Sequence, residues 1–208
     1  MRARGSMQQL FVAALVLGAW LATTAGAQTA DPVADLFAKG RAVQASVQQF
    51  TARFTETTVS TLLRDPIVAT GTVVATKPMQ AVLTYDAPQA KTVTIDATKM
   101  VVTWPGTTRR EETNIAEAQR RVQKYFVDVT VKQLRDSFDM SLTTDRARPD
   151  ADVLLMLPKR KQIREGLDRL QLWIDRQRLL LVRMQMDFAG GDRKTFDFRD
   201  IVTTATRD

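Results

Sequence analysis

Residues 67–104 read IVATGTVVATKPMQAVLTYDAPQAKTVTIDATKMVVTW. Thr and Val dominate this stretch, and their branched side chains favour a pleated, half-buried backbone over a helix. Breakers at Asp65-Pro66, Lys77-Pro78, Ala87-Pro88 and Trp104-Pro105-Gly106 cut it into pieces of strand length. Strands are predicted at Ile67–Thr76, Gln80–Tyr85, Lys91–Asp96 and Lys99–Trp104. The connections are too short for crossover helices, so consecutive strands must be antiparallel neighbours.

Upstream, Phe50, Ala52 and Phe54 alternate with Thr51, Arg53 and Thr55, which adds a strand. Before it, Asp31-Pro32 suits the N-cap and first turn of a helix. Val33, Leu36, Phe37, Val43, Val47 and Phe50 then recur at three- or four-residue steps, with Gly40 on the same face. That spacing predicts an amphipathic helix ending near Gln49. Downstream, Asn114 can cap a helix over Ile115–Phe126, with Ile115, Ala118, Val122, Tyr125 and Phe126 on one side. A shorter helix, Val131–Phe138, follows. Strands resume at Asp139–Thr144, Asp152–Leu157, Leu167–Asp175, Leu180–Phe188 and Lys194–Ile201, separated by turns at 158–166, 176–178 and 189–192. The order is a helix, about five strands, a helical insert and about five more strands. The fold class is α+β, mainly β. An antiparallel sheet of that size must curl or split, and the helices can cover its concave face.

The 208 residues include no Cys and no His. No disulfide, thiol nucleophile or lipidated cysteine is available, nor a Ser-His-Asp triad or an ordinary zinc site. Acid–base chemistry would fall to Asp, Glu, Lys or Tyr, and Asp86, Asp96, Glu111 and Glu112 form no recognisable acid–base pair. No phosphate loop or nucleophile elbow occurs, so the sequence reads as a non-enzyme with no cofactor and no metal. Asp187 and Asp192 flank Gly190-Gly191 in what reads as a turn; a calcium loop needs more oxygen ligands at closer spacing.

The amino terminus has its own signature. Arg2 and Arg4 precede an apolar run from Leu10 to Ala22, and Ala25-Gly26-Ala27 matches a signal-peptidase site. The expectation is a cleaved signal over 1–27 and a single domain over 28–208, exported as a soluble monomer. The full chain has 30 basic and 23 acidic residues, a net charge of +7. Loss of Arg2 and Arg4 leaves 28 against 23, or +5. That excess suits weak attraction to anionic membrane surfaces or acidic partners; scattered charge in an exported chain argues against nucleic acid.

Several strands are apolar on one side. Leu180, Val182, Met184, Met186 and Phe188 share a phase, as do Leu170, Leu172 and Ile174; Met100, Val102 and Trp104; and Leu83 with Tyr85. Such faces fit either an ordinary core beneath helices or the wall of a ligand cavity, and flexible Met side chains suit an adaptable apolar ligand. The candidate wall is Leu83, Tyr85, Met100, Val102, Trp104, Leu172, Met184 and Met186, with Val33, Leu36, Phe37 and Val47 facing it from the first helix. Lys159-Arg160-Lys161 with Arg164 forms a basic tip that reads as a solvated hairpin or as a docking surface for a membrane or partner.

The chain beyond the signal resembles the LolA family, periplasmic carriers of outer-membrane lipoproteins. The resemblance runs through Phe50-Thr51-Ala52-Arg53-Phe54, Gly71 to Pro78, Leu83-Thr84-Tyr85-Asp86-Ala87-Pro88 and Val93 to Met100. It continues at Leu157-Pro158, Trp173-Ile174-Asp175 and Asp187 to Phe198. Each motif is short; their order and spacing over about 170 residues carry the match. The resemblance implies an incomplete, strongly curved antiparallel barrel of about 10–11 strands with helices as a lid, and a hydrophobic space between them that takes lipoprotein acyl chains. It implies loading from an inner-membrane ABC-type lipoprotein-releasing complex and delivery to an outer-membrane acceptor or membrane surface. It also places Lys77 where the family has an Arg before Pro that latches the lid. The family's Trp in the next strand is Leu83 here, and the turn Gly after Asp96 is Ala97. These departures keep open a carrier or sensor of another lipid, such as a glycolipid.

Overall fold

A computed structural model describes residues 31–126 and 130–205. The expected signal, 1–27, lies outside them, as do the side chains of Val122, Tyr125 and Phe126. Asp31 caps α1 (Pro32–Ser46), its Oδ1 accepting from the N–H groups of Val33 at 3.1 Å and Ala34 at 3.3 Å. The helix stops at Ser46, short of the expected Gln49. Val47 and Phe50 fit both a helical and a two-residue period, and sheet pairing decides between them. Val47 pairs with Ala205, and Phe50 sits between Ala75 and Thr203. Val47, expected on the lid helix, is therefore the first residue of β1 (Val47–Val59).

Then follow β2 (Ile67–Thr76), β3 (Gln80–Tyr85), β4 (Lys91–Ile95), β5 (Lys99–Thr103) and β6 (Arg110–Asn114). α2 (Ala116–Phe126) and α3 (Val131–Ser137) come next. The chain closes with β7 (Phe138–Asp145), β8 (Arg148–Pro158), α4 (Lys161–Arg164), β9 (Arg169–Asp175), β10 (Leu181–Asp187) and β11 (Arg193–Ala205). The first half holds six strands rather than about five, because β6 had no apolar signature. Phe138, expected to end the helix before it, begins β7, and the turn expected over 158–166 contains α4.

The strands form one 11-stranded sheet in the order β6-β5-β4-β3-β2-β1-β11-β10-β9-β8-β7. Two antiparallel meanders are stitched together by β1 and β11, which pair from Val47↔Ala205 to Val59↔Arg193. The outer strands β6 and β7 do not pair, so the barrel is incomplete, and α2 and α3 connect these two edges in the chain. α3 is closed by a capping box in which Thr130 and Gln133 satisfy each other's backbone N–H groups.

Alternation along the strands sends one set of side chains inward. Phe50, Ala52 and Phe54 of β1, Val73 and Ala75 of β2, Met184 and Met186 of β10, and Phe196 and Phe198 of β11 are buried in one cluster. Val33, Leu36 and Phe37 of α1, Ile115, and Leu134 of α3 belong to the same cluster, which places the helices over the sheet's inner face. A second, smaller cluster of Ala151, Val153, Trp173 and Val182 forms apart from it. Val182 was expected in phase with Met184. A register shift between Leu181 and Arg183 moves it into the cluster with Trp173.

At Gly71 in β2 a side chain has no room. A Cβ there would lie 2.3 Å from the Thr84 carbonyl oxygen and 2.7 Å from Cζ of Phe54. Its absence lets the Phe54 ring lie across β2 and meet Tyr85 edge-on, with centroids 5.1 Å apart.

Candidate functional site

The structure gathers most of the residues singled out in the sequence into one buried cluster. Leu83 and Tyr85 on β3, Met100 and Val102 on β5, Leu172 on β9, and Met184 and Met186 on β10 are all buried in the main cluster, beside Val33, Leu36 and Phe37 of α1. Trp104 stands just past the end of β5, half-buried against that cluster, with the Arg109 guanidinium 4.0 Å from its ring centre. The cluster thus draws on both meanders, and the apolar side of α1 is buried in it.

Polar contacts hold α1 at both ends. Near its C-terminus, Lys77 Nζ donates a hydrogen bond to the carbonyl of Gln44, in the last turn. The backbone beside it is tied as well: Lys77 N–H donates to Gln48 O at 3.0 Å, and Gln48 Nε2 to Lys77 O at 3.4 Å. A cation meeting the last carbonyls of a helix also complements its dipole. At the other end, Arg135 Nη2 of α3 reaches Asp31 at 2.8 Å to Oδ1 and 2.6 Å to Oδ2. The sequence pointed to Lys77 through the family resemblance; nothing in it linked Asp31 to Arg135 across 104 residues.

The enclosed face is not wholly apolar. Glu56 follows Phe50, Ala52 and Phe54 in the inward phase of β1 and is buried. Its Oε1 accepts from Lys194 Nζ at 2.5 Å and its Oε2 from the Tyr85 hydroxyl at 2.5 Å. Lys194 is buried too, in phase with Phe196 on β11. Lys91, half-buried at the start of β4, places Nζ 4.4 Å from the Tyr85 ring centre. Burial, and then the Glu56 carboxylate, push the Tyr85 phenol far above its ordinary range. Burial holds the Lys91 ammonium below the usual lysine range; Lys194 pushes the same way and Glu56 opposes. The sequence reading singled out Tyr85 but neither Glu56, Lys91 nor Lys194. The available signal was charge falling in the inward phase of three apolar strands.

The other charged features lie outside this face. Asp86 accepts from Thr70 Oγ1 at 2.7 Å and pairs with Arg53 at 2.7 Å; these contacts hold its carboxyl below the usual carboxylate range. In the second cluster, Trp173 Nε1 donates to Asp145 Oδ2 at 2.9 Å, and Arg183 sits over the Trp173 ring. The basic tip at 159–164 leans on α3, where Lys159 Nζ donates to Arg135 O at 2.9 Å. Gly190 and Gly191 take positive φ in the turn between β10 and β11. Among the described residues no group of His, Cys, Asp or Glu is arranged to hold a metal ion.

The chain is similar to several solved structures. The Mycobacterium tuberculosis lipoprotein LppX superimposes with a TM-score of 0.52 at 13% identity, over 86% of this chain and 99% of that one. A LolA superfamily protein from Nitrosomonas europaea matches with a TM-score of 0.40 at 11% identity, over 86% and 95%. MucB in the Pseudomonas aeruginosa MucA/MucB complex matches with a TM-score of 0.47 at 17% identity, over 86% of this chain and 59% of that one. At 13% identity the likeness to LppX speaks to fold alone, and no curated protein matches the sequence. A family model does: the one described as outer membrane lipoprotein carrier protein LolA covers residues 45–208, from the end of α1 through the last strand. The sheet order, the helices over its inner face and that match agree, and the chain belongs to the LolA family.

Proposed function

We propose that this domain is a periplasmic carrier, made with a cleaved signal over 1–27, that shelters lipoprotein acyl chains between α1 and the inner face of the sheet. It takes its cargo from an inner-membrane ABC-type releasing complex and passes it to an outer-membrane acceptor or membrane surface. The observation that supports this best is the shared burial of α1 and the sheet: Val33, Leu36 and Phe37 lie in one buried apolar cluster with Leu83, Met184 and Met186, with polar ties at the helix ends. Acyl chains offer the wall the same apolar contact that the helix does, so the two can exchange.

Each buried CH₂ is worth about 0.8 kcal/mol, so exposing a long acyl chain to water costs on the order of 10 kcal/mol. Lipidated proteins therefore need a sheltered route across an aqueous compartment. Because lid and cargo compete for one surface, the net binding energy is smaller than that figure, and release to a membrane can run downhill. The family membership supports this role, and the missing His and Cys remove the commonest catalytic groups.

Native mass spectrometry of the protein isolated from its own periplasm tests the reading. Co-purified lipoprotein, released on addition of membranes, is the expected result. Protein that is always bare, and that takes up no acyl probe, contradicts it.

A further inference from the structure

We propose that Lys91, with Lys194, Tyr85 and Glu56, forms a binding site for the anionic polar end of an acyl-chain ligand, a phosphate or carboxylate, with the chains lying along the apolar wall. The lipid end of a lipoprotein carries ester, thioether and amide groups but no anion, so the occupant here is a free anionic amphiphile, and the site rests on the carrier reading only for the space that takes its acyl chains. Four observations carry the assignment.

The cluster lies on the lipid-facing side. Glu56, Tyr85, Lys91 and Lys194 fall in the inward phase of β1, β3, β4 and β11, and Tyr85 belongs to the same buried cluster as Leu83 and Met184. The charges also do not balance: one carboxylate faces two ammonium groups. Glu56 already accepts from Lys194 and Tyr85, each at 2.5 Å, and from Thr58 Oγ1 at 3.4 Å. Among the described residues Lys91 has no ion-pair partner, and it rests on the Tyr85 ring at 4.4 Å.

Stability does not call for such a group. A buried ion pair is often matched or bettered by apolar residues of the same volume, and a third, unpaired charge only adds cost. A cation in a partly dehydrated, apolar setting binds an oxyanion more strongly than the same cation in water. Position fits as well. Lys91 is half-buried and so keeps access to water, whereas Leu83 and Met184 are fully enclosed. An amphiphile seated here has its polar end towards solvent and its chains inside. Lys77, which ties the C-terminal end of α1, follows Thr76 at one end of the β2–β3 ladder, and Tyr85 pairs with Gly71 at the other, so the proposed head site and that tie are separated along the strands.

The test uses three soluble probes on the full mature chain: dodecyl phosphate, dodecanol and inorganic phosphate, each competing with a fluorescent fatty-acyl probe. Dodecyl phosphate is expected to compete about tenfold or more better than dodecanol, and inorganic phosphate not to compete. Lys91→Gln should remove the preference and leave dodecanol unchanged; Lys91→Arg should keep most of it. Equal competition by dodecyl phosphate and dodecanol in the wild type overturns the site while leaving the carrier reading intact. Competition by inorganic phosphate as strong as that of dodecyl phosphate also overturns it, as a free-anion site. Failure of the fatty-acyl probe to bind at all overturns the carrier reading, and this site with it.

Discussion

Arg135 and Asp31, 104 residues apart, join α3 to the N-cap of α1 through one guanidinium nitrogen and both carboxylate oxygens, at 2.6 and 2.8 Å. Asp31 does two jobs there: it accepts from the first N–H groups of α1 and it receives a cation from the neighbouring helix. Both side chains are substantially exposed, so solvent screens the pair and its worth is about 0–1 kcal/mol. The N-cap bonds are worth about 0.5–2 kcal/mol on top of that.

These jobs can be separated. Arg135→Ala and Asp31→Asn should each lower stability by under about 1 kcal/mol, and the loss should fade in high salt. Asp31→Ala should cost about 1–2 kcal/mol more, a loss that salt does not erase. Urea unfolding at low and high ionic strength reads both.

At the other end of α1, Lys77 is the tie. Lys77→Leu removes the bond to the Gln44 carbonyl and should favour a lifted helix. A charged hydrogen bond of about 1.5–3 kcal/mol shifts an open–closed ratio by roughly ten- to a hundredfold. The expected outcome is slower handover of an acyl probe to liposomes, with loading less affected. Lys77→Arg, with more donors in a fixed fork, should hold the helix down more firmly and speed release. Equal release rates for wild type and both variants would remove Lys77 from the mechanism.

Gly71→Ala tests the packing beneath the site. The added methyl meets the Thr84 carbonyl oxygen and the Phe54 ring, so strand or ring must move. A loss of about 1–3 kcal/mol is expected in urea unfolding. Displacing Phe54 also disturbs Tyr85, so the near-ultraviolet circular dichroism should change.

Tyr85 sets an alkaline limit. Its phenol stays protonated in the folded state well above the ordinary value of 10.0, whereas the unfolded chain releases the proton there. The folded state thus holds more protons above pH 10, and stability falls as pH rises, by up to about 1.4 kcal/mol per pH unit. Tyr85→Phe lacks this term but leaves Glu56 Oε2 without its donor, a cost of about 1–3 kcal/mol at neutral pH. The wild type should be the more stable protein at pH 7, and its lead should shrink above about pH 10. A constant gap from pH 7 to 11 would contradict this.

What the sequence made legible follows from local signals. β2 and β3 fall at their expected limits, because Pro66, Lys77-Pro78 and Ala87-Pro88 punctuate an alternating pattern. β6 was missed because Arg110-Glu111-Glu112-Thr113-Asn114 has no apolar alternation. It is a charged edge strand, with Arg109 paired to Glu111 and Arg110 to Glu112, and charge on an edge discourages further pairing. α1 was read too long because Val47 and Phe50 satisfy two periods at once, and only long-range pairing separates them. The shared burial of Leu83, Tyr85, Met100, Val102, Leu172, Met184 and Met186 was readable since period two fixes which side chains share a face, and Val182 left that phase through a local register shift. The Glu56–Lys194 pair was not readable, because its partners lie 138 residues apart and meet only when β11 returns to β1.

The central claim is that acyl chains lie between α1 and the inner face of the sheet. Photo-crosslinking with a fatty-acyl probe carrying a diazirine on its chain, followed by peptide mapping, tests it most directly. Adducts on Leu83, Leu172, Met184 and Met186 together with Leu36 and Phe37 are the predicted result. Adducts confined to exposed apolar positions such as Leu62, Ile67, Val68 and Val202, with none on the wall or on α1, would contradict it.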